Sequence, residues 1–127
     1  MTGEPSFFEL GVADPERGRV FYGSLFGWSL EPGPAGRGFS IGTGGVPGGL
    51  HGGDAGASPY LFFRVGDLDA AVARVRELGG SVEDLGEEGE EDAESVARFG
   101  RFALCRDDQG SVFGLHQPPR GRDGRLL

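Results

Sequence analysis

The chain contains no lysine, a single cysteine and only two histidines, and each scarcity closes off some chemistry. Without lysine there is neither a Schiff-base nucleophile nor the phosphate-gripping residue of a Walker-type loop. The lone thiol, Cys105, forbids an intrachain disulfide and suits a reducing, cytoplasmic compartment. No run reaches the ~18 apolar residues of a membrane span, and the first residues carry neither a basic patch nor an apolar targeting stretch. Positive charge is short as well. Against 20 acids stand 12 arginines, a net charge of −8, which argues against nucleic acid or an anionic membrane as partner. A chain of 127 residues suits one compact domain that buries a core without metal or disulfide staples.

Glycine is abundant instead: 26 residues, about a fifth of the chain against an ordinary ~7%, which implies many turns or backbones in close approach. The acidity is local. Eight acids and no base lie between Glu83 and Glu94, and the remaining acids are balanced by the arginines. With Gly86 and Gly89 inside it, that stretch reads as a solvated loop. Residues 119–127 have no periodicity and read as an extended or loose tail.

An internal repeat organises the rest. Phe8-Glu9-Leu10-Gly11-Val12-Ala13-Asp14 returns as Leu61-Phe62-Phe63-Arg64-Val65-Gly66-Asp67, and Gly49-Leu50-His51 returns as Gly114-Leu115-His116. The expected domain therefore spans 4–118 as two modules, about 4–54 and 58–118. Each opens with an alternating strand, followed by a helix capped by Asp14 (with Pro15 next) or by Asp67, the second ended by Gly79. Three short strands follow: Trp28–Glu31, Arg37–Ile41 and Val46–His51, then Ser81–Leu85, Phe99–Cys105 and Ser111–Gln117. The predicted class is α+β. Two tandem βαβββ modules form a curved, partly open mixed sheet around a cleft, with helices on the outer face.

Strand parity then sorts the side chains. Phe8, Leu10, Val12, Leu61, Phe63 and Val65 should meet the helices, while Phe7, Glu9, Gly11, Gly49, His51, Tyr60, Phe62, Arg64, Val112, Gly114 and His116 should line the opposite, concave face. Glu9 stands out, because an unpaired buried carboxylate costs several kcal/mol. It is either a functional acid or a carboxylate satisfied by an arginine such as Arg64. The histidines close both Gly-Leu-His repeats, and Glu9, His51 and His116 have the composition of a two-histidine, one-carboxylate metal site. For His116 the competing reading is a hydrogen-bonded structural histidine. Phe7, Tyr60 and Phe62 read as pocket wall or core, Arg64 as an anion clamp or an ion-paired arginine, and Cys105 as a buried thiol.

The run from Phe21 to Trp28, the segment Asp67-Leu68-Asp69-Ala70-Ala71, and Asp107-Asp108-Gln109-Gly110 before Phe113-Gly114-Leu115-His116 resemble the vicinal oxygen chelate superfamily. That group includes glyoxalase I, bleomycin-resistance proteins and extradiol dioxygenases. The resemblance implies metal ligation from the first and last strands of each module, at Phe7, Gly49, Tyr60 and Gly114, none of which is a ligand-type residue. Glu9, His51 and His116 lie two residues further on, a displacement of roughly 6.6 Å along a strand. They are candidates for a displaced metal or, preferably, for a Glu9–His116 acid–base pair. The cofactor is left unknown, with a divalent metal not favoured.

Three functions follow from the resemblance. One is a small-molecule-binding protein whose acidic, aromatic-lined cleft uses Glu9–His116 or displaced-metal chemistry, in the manner of a glyoxalase-like lyase, isomerase or dioxygenase. Another is a non-catalytic binder that sequesters an antibiotic-like or aromatic compound. The third is a structural or regulatory dimer without a ligand. The family resemblance also implies a homodimer; the charge and the lack of apolar runs leave no nucleic acid and no membrane as expected partner.

Overall fold

A computed structural model of the chain describes residues 3–33, 37–84 and 93–120. Among these are eight strands and three helices: β1 (Pro5–Gly11), α1 (Pro15–Phe26), β2 (Ser29–Pro32), β3 (Phe39–Gly42), β4 (Gly48–His51), β5 (Tyr60–Arg64), α2 (Leu68–Glu77), β6 (Ser81–Asp84), α3 (Ala93–Phe99), β7 (Arg101–Arg106) and β8 (Val112–Gln117). The chain divides into two units, Phe7–Leu61 and Met1–Ser6 with Phe62–Leu127. Residues Gly3 to Ser6 thus belong with the later segment, where Gly3 N–H donates to the Arg64 carbonyl and Arg64 N–H to that of Glu4, both at 2.8 Å.

In the first unit the strand order is β2-β3-β4-β1, with β1 and β4 parallel and the other pairs antiparallel. α1 starts where Asp14 accepts from the N–H groups of Glu16 and Arg17, with Pro15 supplying a preset φ. It stops at Gly27, whose φ of +74° suits a residue without Cβ. Leu10, Ile41 and Leu50 form the buried centre, with Phe8, Val12, Tyr22, Trp28, Leu30 and Phe39 packed around them. Alternation along β1 puts Phe8 and Leu10 on the α1 side and Glu9 on the other. Gly18 lets the helix close on the sheet, since a Cβ there would sit 3.2 Å from Leu50.

The second unit repeats the arrangement as β5-β8-β7-β6, with β5 and β8 parallel. Asp67 caps α2 through the Ala70 N–H. Leu68, Val72, Ala103, Cys105 and Leu115 make its core, each large side chain worth ~1.5–3 kcal/mol of burial. Val65 joins this core as the alternation requires, whereas Leu61 is 45% exposed.

The α+β class and the two strand–helix–strand repeats are present in the structure. One element departs from the expected pattern. Residues 93–99 form α3 where the sequence reads as the end of an acidic loop followed by a strand from Phe99. The Arg98–Glu94 pair at 3.5 Å supports this short helix, and Gly100 at φ +90° ends it, delaying β7 to Arg101. Most of the acidic stretch, 85–92, and the tail from 121 lie outside the described residues.

Candidate functional site

The parallel β1–β4 ladder sets Glu9 beside Gly49 and Gly11 beside His51. Both glycines matter sterically. A Cβ on Gly49 would lie 2.5 Å from Glu9 Oε1, and one on Gly11 would lie 2.5 Å from Asp54 Oδ2. The two missing side chains therefore make room for two carboxylates, and both converge on His51. Its Nδ1–H donates to Glu9 Oε2 at 2.6 Å and its Nε2–H to Asp54 Oδ2 at 2.8 Å. The Tyr60 hydroxyl donates to the same Asp54 oxygen at 3.3 Å, and its ring lies nearly parallel to the imidazole, 6.3 Å between centroids.

Two acceptor-only carboxylates, one on each ring nitrogen, favour the doubly protonated imidazolium. The His51 pKa rises from 6.5 to about 9, chiefly through the Glu9 hydrogen bond and against partial desolvation, with Asp54 adding to the rise. At neutral pH the cluster holds two negative charges around one positive charge. Its side chains keep contact with solvent, at 25% exposure for Glu9 and 38% for His51. A charged imidazolium with both N–H groups committed is neither a base nor a metal ligand.

The repeat places His116 on β8 as the counterpart of His51, yet its surroundings are opposite in character. Its ring is 4% exposed and stacks on Phe102 at 4.6 Å. Nε2 lies 2.7 Å from the Phe99 carbonyl, and Nδ1 lies 2.8 Å from the Ser6 hydroxyl. Burial lowers the His116 pKa and the Arg64 charge adds to the lowering, opposed by the Phe99 carbonyl. Where the first unit has Gly11 and Glu9, the second has Arg64 opposite His116 and Phe62 opposite Gly114. The Phe62 ring lies across Gly114, and it meets Phe102 edge to face at 5.3 Å. Arg64 approaches Glu4, Nε to Oε2 3.7 Å.

Within the first unit the imidazole that holds Glu9 is that of His51, and within the second the ring nitrogens of His116 meet Ser6 and Phe99. Within the second unit Arg64 lies close to Glu4. Asp54 and Ser6 are the residues that sequence reasoning overlooked. Asp54 does carry a signal, because it stands three residues after His51 across a glycine pair, a spacing that lets a side chain fold back on a strand end. Ser6 carries none beyond its place on the first strand.

A family model described as a glyoxalase-like domain matches residues 7–116. The chain belongs to the glyoxalase-like domain family. That membership places it in the vicinal oxygen chelate superfamily, as the motifs suggest. No curated protein matches. Among solved structures, this glyoxalase-like chain is similar to methylmalonyl-CoA epimerase from Mycobacterium tuberculosis, with 21% identity, TM-score 0.61, and coverage of 94% of this chain and 89% of that one. It is also similar to a hypothetical protein from Bacillus halodurans C-125, with 12% identity, TM-score 0.63, and coverage of 94% and 96%. A glyoxalase/bleomycin resistance protein/dioxygenase superfamily member from Vibrio splendidus 12B01 matches at 16% identity and TM-score 0.56, covering 87% and 96%. At such identities these likenesses establish the fold.

The metal that the superfamily implies does not fit the residues present. Of its four expected positions, Phe7 has no donor atom, Gly49 and Gly114 have no side chain, and the Tyr60 hydroxyl is given to Asp54. The volume beside each glycine is already taken, by Glu9 and by the Phe62 ring. The displaced set fares no better, since His51 spends both ring nitrogens on carboxylates and His116 faces Ser6 and a carbonyl. Among the described residues no group of three or more His, Cys, Asp or Glu is arranged to hold a metal ion.

Proposed function

We propose that this glyoxalase-like protein binds a small, basic, ring-bearing molecule at the Glu9–His51–Asp54–Tyr60 cluster, without a metal and without turnover at that cluster. The observation that supports this most is the double clamp on His51. It fixes two carboxylates in orientation while consuming the imidazolium N–H groups, so the unshared oxygens Glu9 Oε1 and Asp54 Oδ1 are acceptors for a ligand's N–H donors. The cluster's net negative charge favours a cation, and Tyr60 offers a flat face to a ring. Burying Phe7 and Phe62 as wall or core residues is compatible with this reading, since neither brings a polar group.

The expected homodimer belongs to the same proposal. α1 exposes Val20, Phe21, Leu25 and Phe26, each more than half accessible, an apolar surface that a second copy would cover. Sedimentation velocity tests it, with a single monomeric boundary as the contrary result. A cytoplasmic location fits the buried lone thiol, and among the described residues no helix is long and apolar enough to cross a membrane.

Calorimetric titration with an aromatic amidine and with its uncharged amide isostere tests the binding reading. The amidine should bind, weaken with added salt, and lose affinity in Glu9→Gln and Asp54→Asn, while EDTA leaves its affinity unchanged. Equal affinity for the neutral isostere, or binding that needs a divalent metal, contradicts it.

A further inference from the structure

The second unit carries an arrangement that the binding reading does not use. The Phe99 carbonyl can only accept, so the proton on the His116 ring sits on Nε2. In the neutral ring that burial favours, Nδ1 then has a lone pair, and the Ser6 hydroxyl at 2.8 Å must donate to it. A serine hydroxyl hydrogen-bonded to a neutral imidazole, whose opposite nitrogen is fixed by an acceptor, is the geometry that activates an oxygen nucleophile. α3 and Gly100 supply the fixing acceptor. The glycine's missing side chain leaves space for the Gln117 carbonyl and so lets the end of α3 lie against β8. Arg64 stands opposite His116 in the β5–β8 ladder, with its side chain about one-fifth exposed. Phe62 and Phe102 make the apolar flank. Near them Glu4 Oε1 is buried without a hydrogen-bond partner, an acceptor that a substrate N–H or O–H would satisfy.

We infer that Ser6 is an acyl-accepting nucleophile, with His116 as its general base, the Phe99 carbonyl as its positioning group and Arg64 as the positive field for the oxyanion, acting on small esters with a hydrogen-bond donor near the acyl group. The Ser6 Oγ lone pair forms the new bond to the ester carbonyl carbon. Its proton passes to His116 Nδ1 and from there to the departing oxygen, which leaves as the alcohol when the C–O bond breaks. Water then repeats the sequence, giving a proton through the same nitrogen, releasing the carboxylic acid and restoring the serine.

The test is labelling of the intact chain with an alkyl fluorophosphonate, which forms an Oγ–P bond as fluoride leaves, followed by peptide mass mapping. The chain supplies its own reference, since Ser24, Ser58 and Ser111 are exposed. General-base assistance predicts that Ser6 reacts roughly 100-fold faster than these three or more. Ser6→Ala should remove the fast adduct, and His116→Gln should bring Ser6 down to the pace of the exposed serines. If that buried substitution unfolds the chain, the wild type in urea serves instead, and its Ser6 rate should collapse in the same way. No adduct at Ser6, or one formed at the pace of the exposed serines in the folded protein, overturns the inference. Amidine binding at Glu9 and Asp54 is unaffected by either result.

Discussion

Removing the charge from His51 should cost stability at low pH and nothing at high pH. His51 has a pKa of 6.5 when unfolded and about 9 when folded, because Glu9 and Asp54 stabilise the protonated ring. The folded state therefore binds the proton more tightly. Its contribution is fully present below pH 6.5, fades between 6.5 and about 9, and is gone above. One pKa unit is worth about 1.4 kcal/mol, but the ring is 38% exposed, so solvent screening reduces the full effect to about 1–2 kcal/mol. His51→Gln keeps a hydrogen-bond donor and discards the charge. Urea unfolding of wild type and variant at pH 6, 8 and 10 reads the difference directly. It should be about 1–2 kcal/mol at pH 6, smaller at pH 8, and near zero at pH 10. A difference that is flat across this range, or that grows with pH, refutes the clamped-imidazolium argument.

Three further outcomes follow from the packing. Gly49→Ala should displace the Glu9 carboxylate, whose Oε1 lies 2.5 Å from the new Cβ; because the side chain can swing away, stability falls by only about 1 kcal/mol while amidine affinity is lost in calorimetry. Gly100→Ala should cost about 2–4 kcal/mol in urea unfolding, since it combines a φ of +90° with a clash against the Gln117 carbonyl. Cys105 is fully buried and burial raises its thiol pKa, so a disulfide reagent should leave it untouched in the native protein and react with it in urea.

Much of the fold is legible in the sequence because its punctuation is local. Asp14, Pro15 and Asp67 announce the helix starts, and Gly79 the stop of α2, through backbone groups within a few residues. Strand alternation likewise puts Phe8 and Leu10 against α1 and leaves Glu9 on the other face. α3 is not legible, because one Glu94–Arg98 pair and a favourable glycine cannot be told from the acidic surroundings that precede them. The site is half legible. Its residue types, Glu9 and the duplicated histidines, stand out, but their pairing depends on which side chain each glycine admits. Gly11 and Gly49 let two acids reach His51, while Arg64 and Phe62 occupy the equivalent places around His116. One repeated Gly-Leu-His motif thus yields a charged histidine and a neutral one, a divergence set by neighbours distant in sequence.

With only two histidines in the chain, nitrogen-15 NMR of their rings from pH 5 to pH 10 measures that divergence most directly. His51 should show both nitrogens protonated at pH 7.5 and titrate near 9, while His116 stays a neutral ring with its proton on Nε2 throughout the neutral range. Two rings that both titrate near 6.5 would contradict the account.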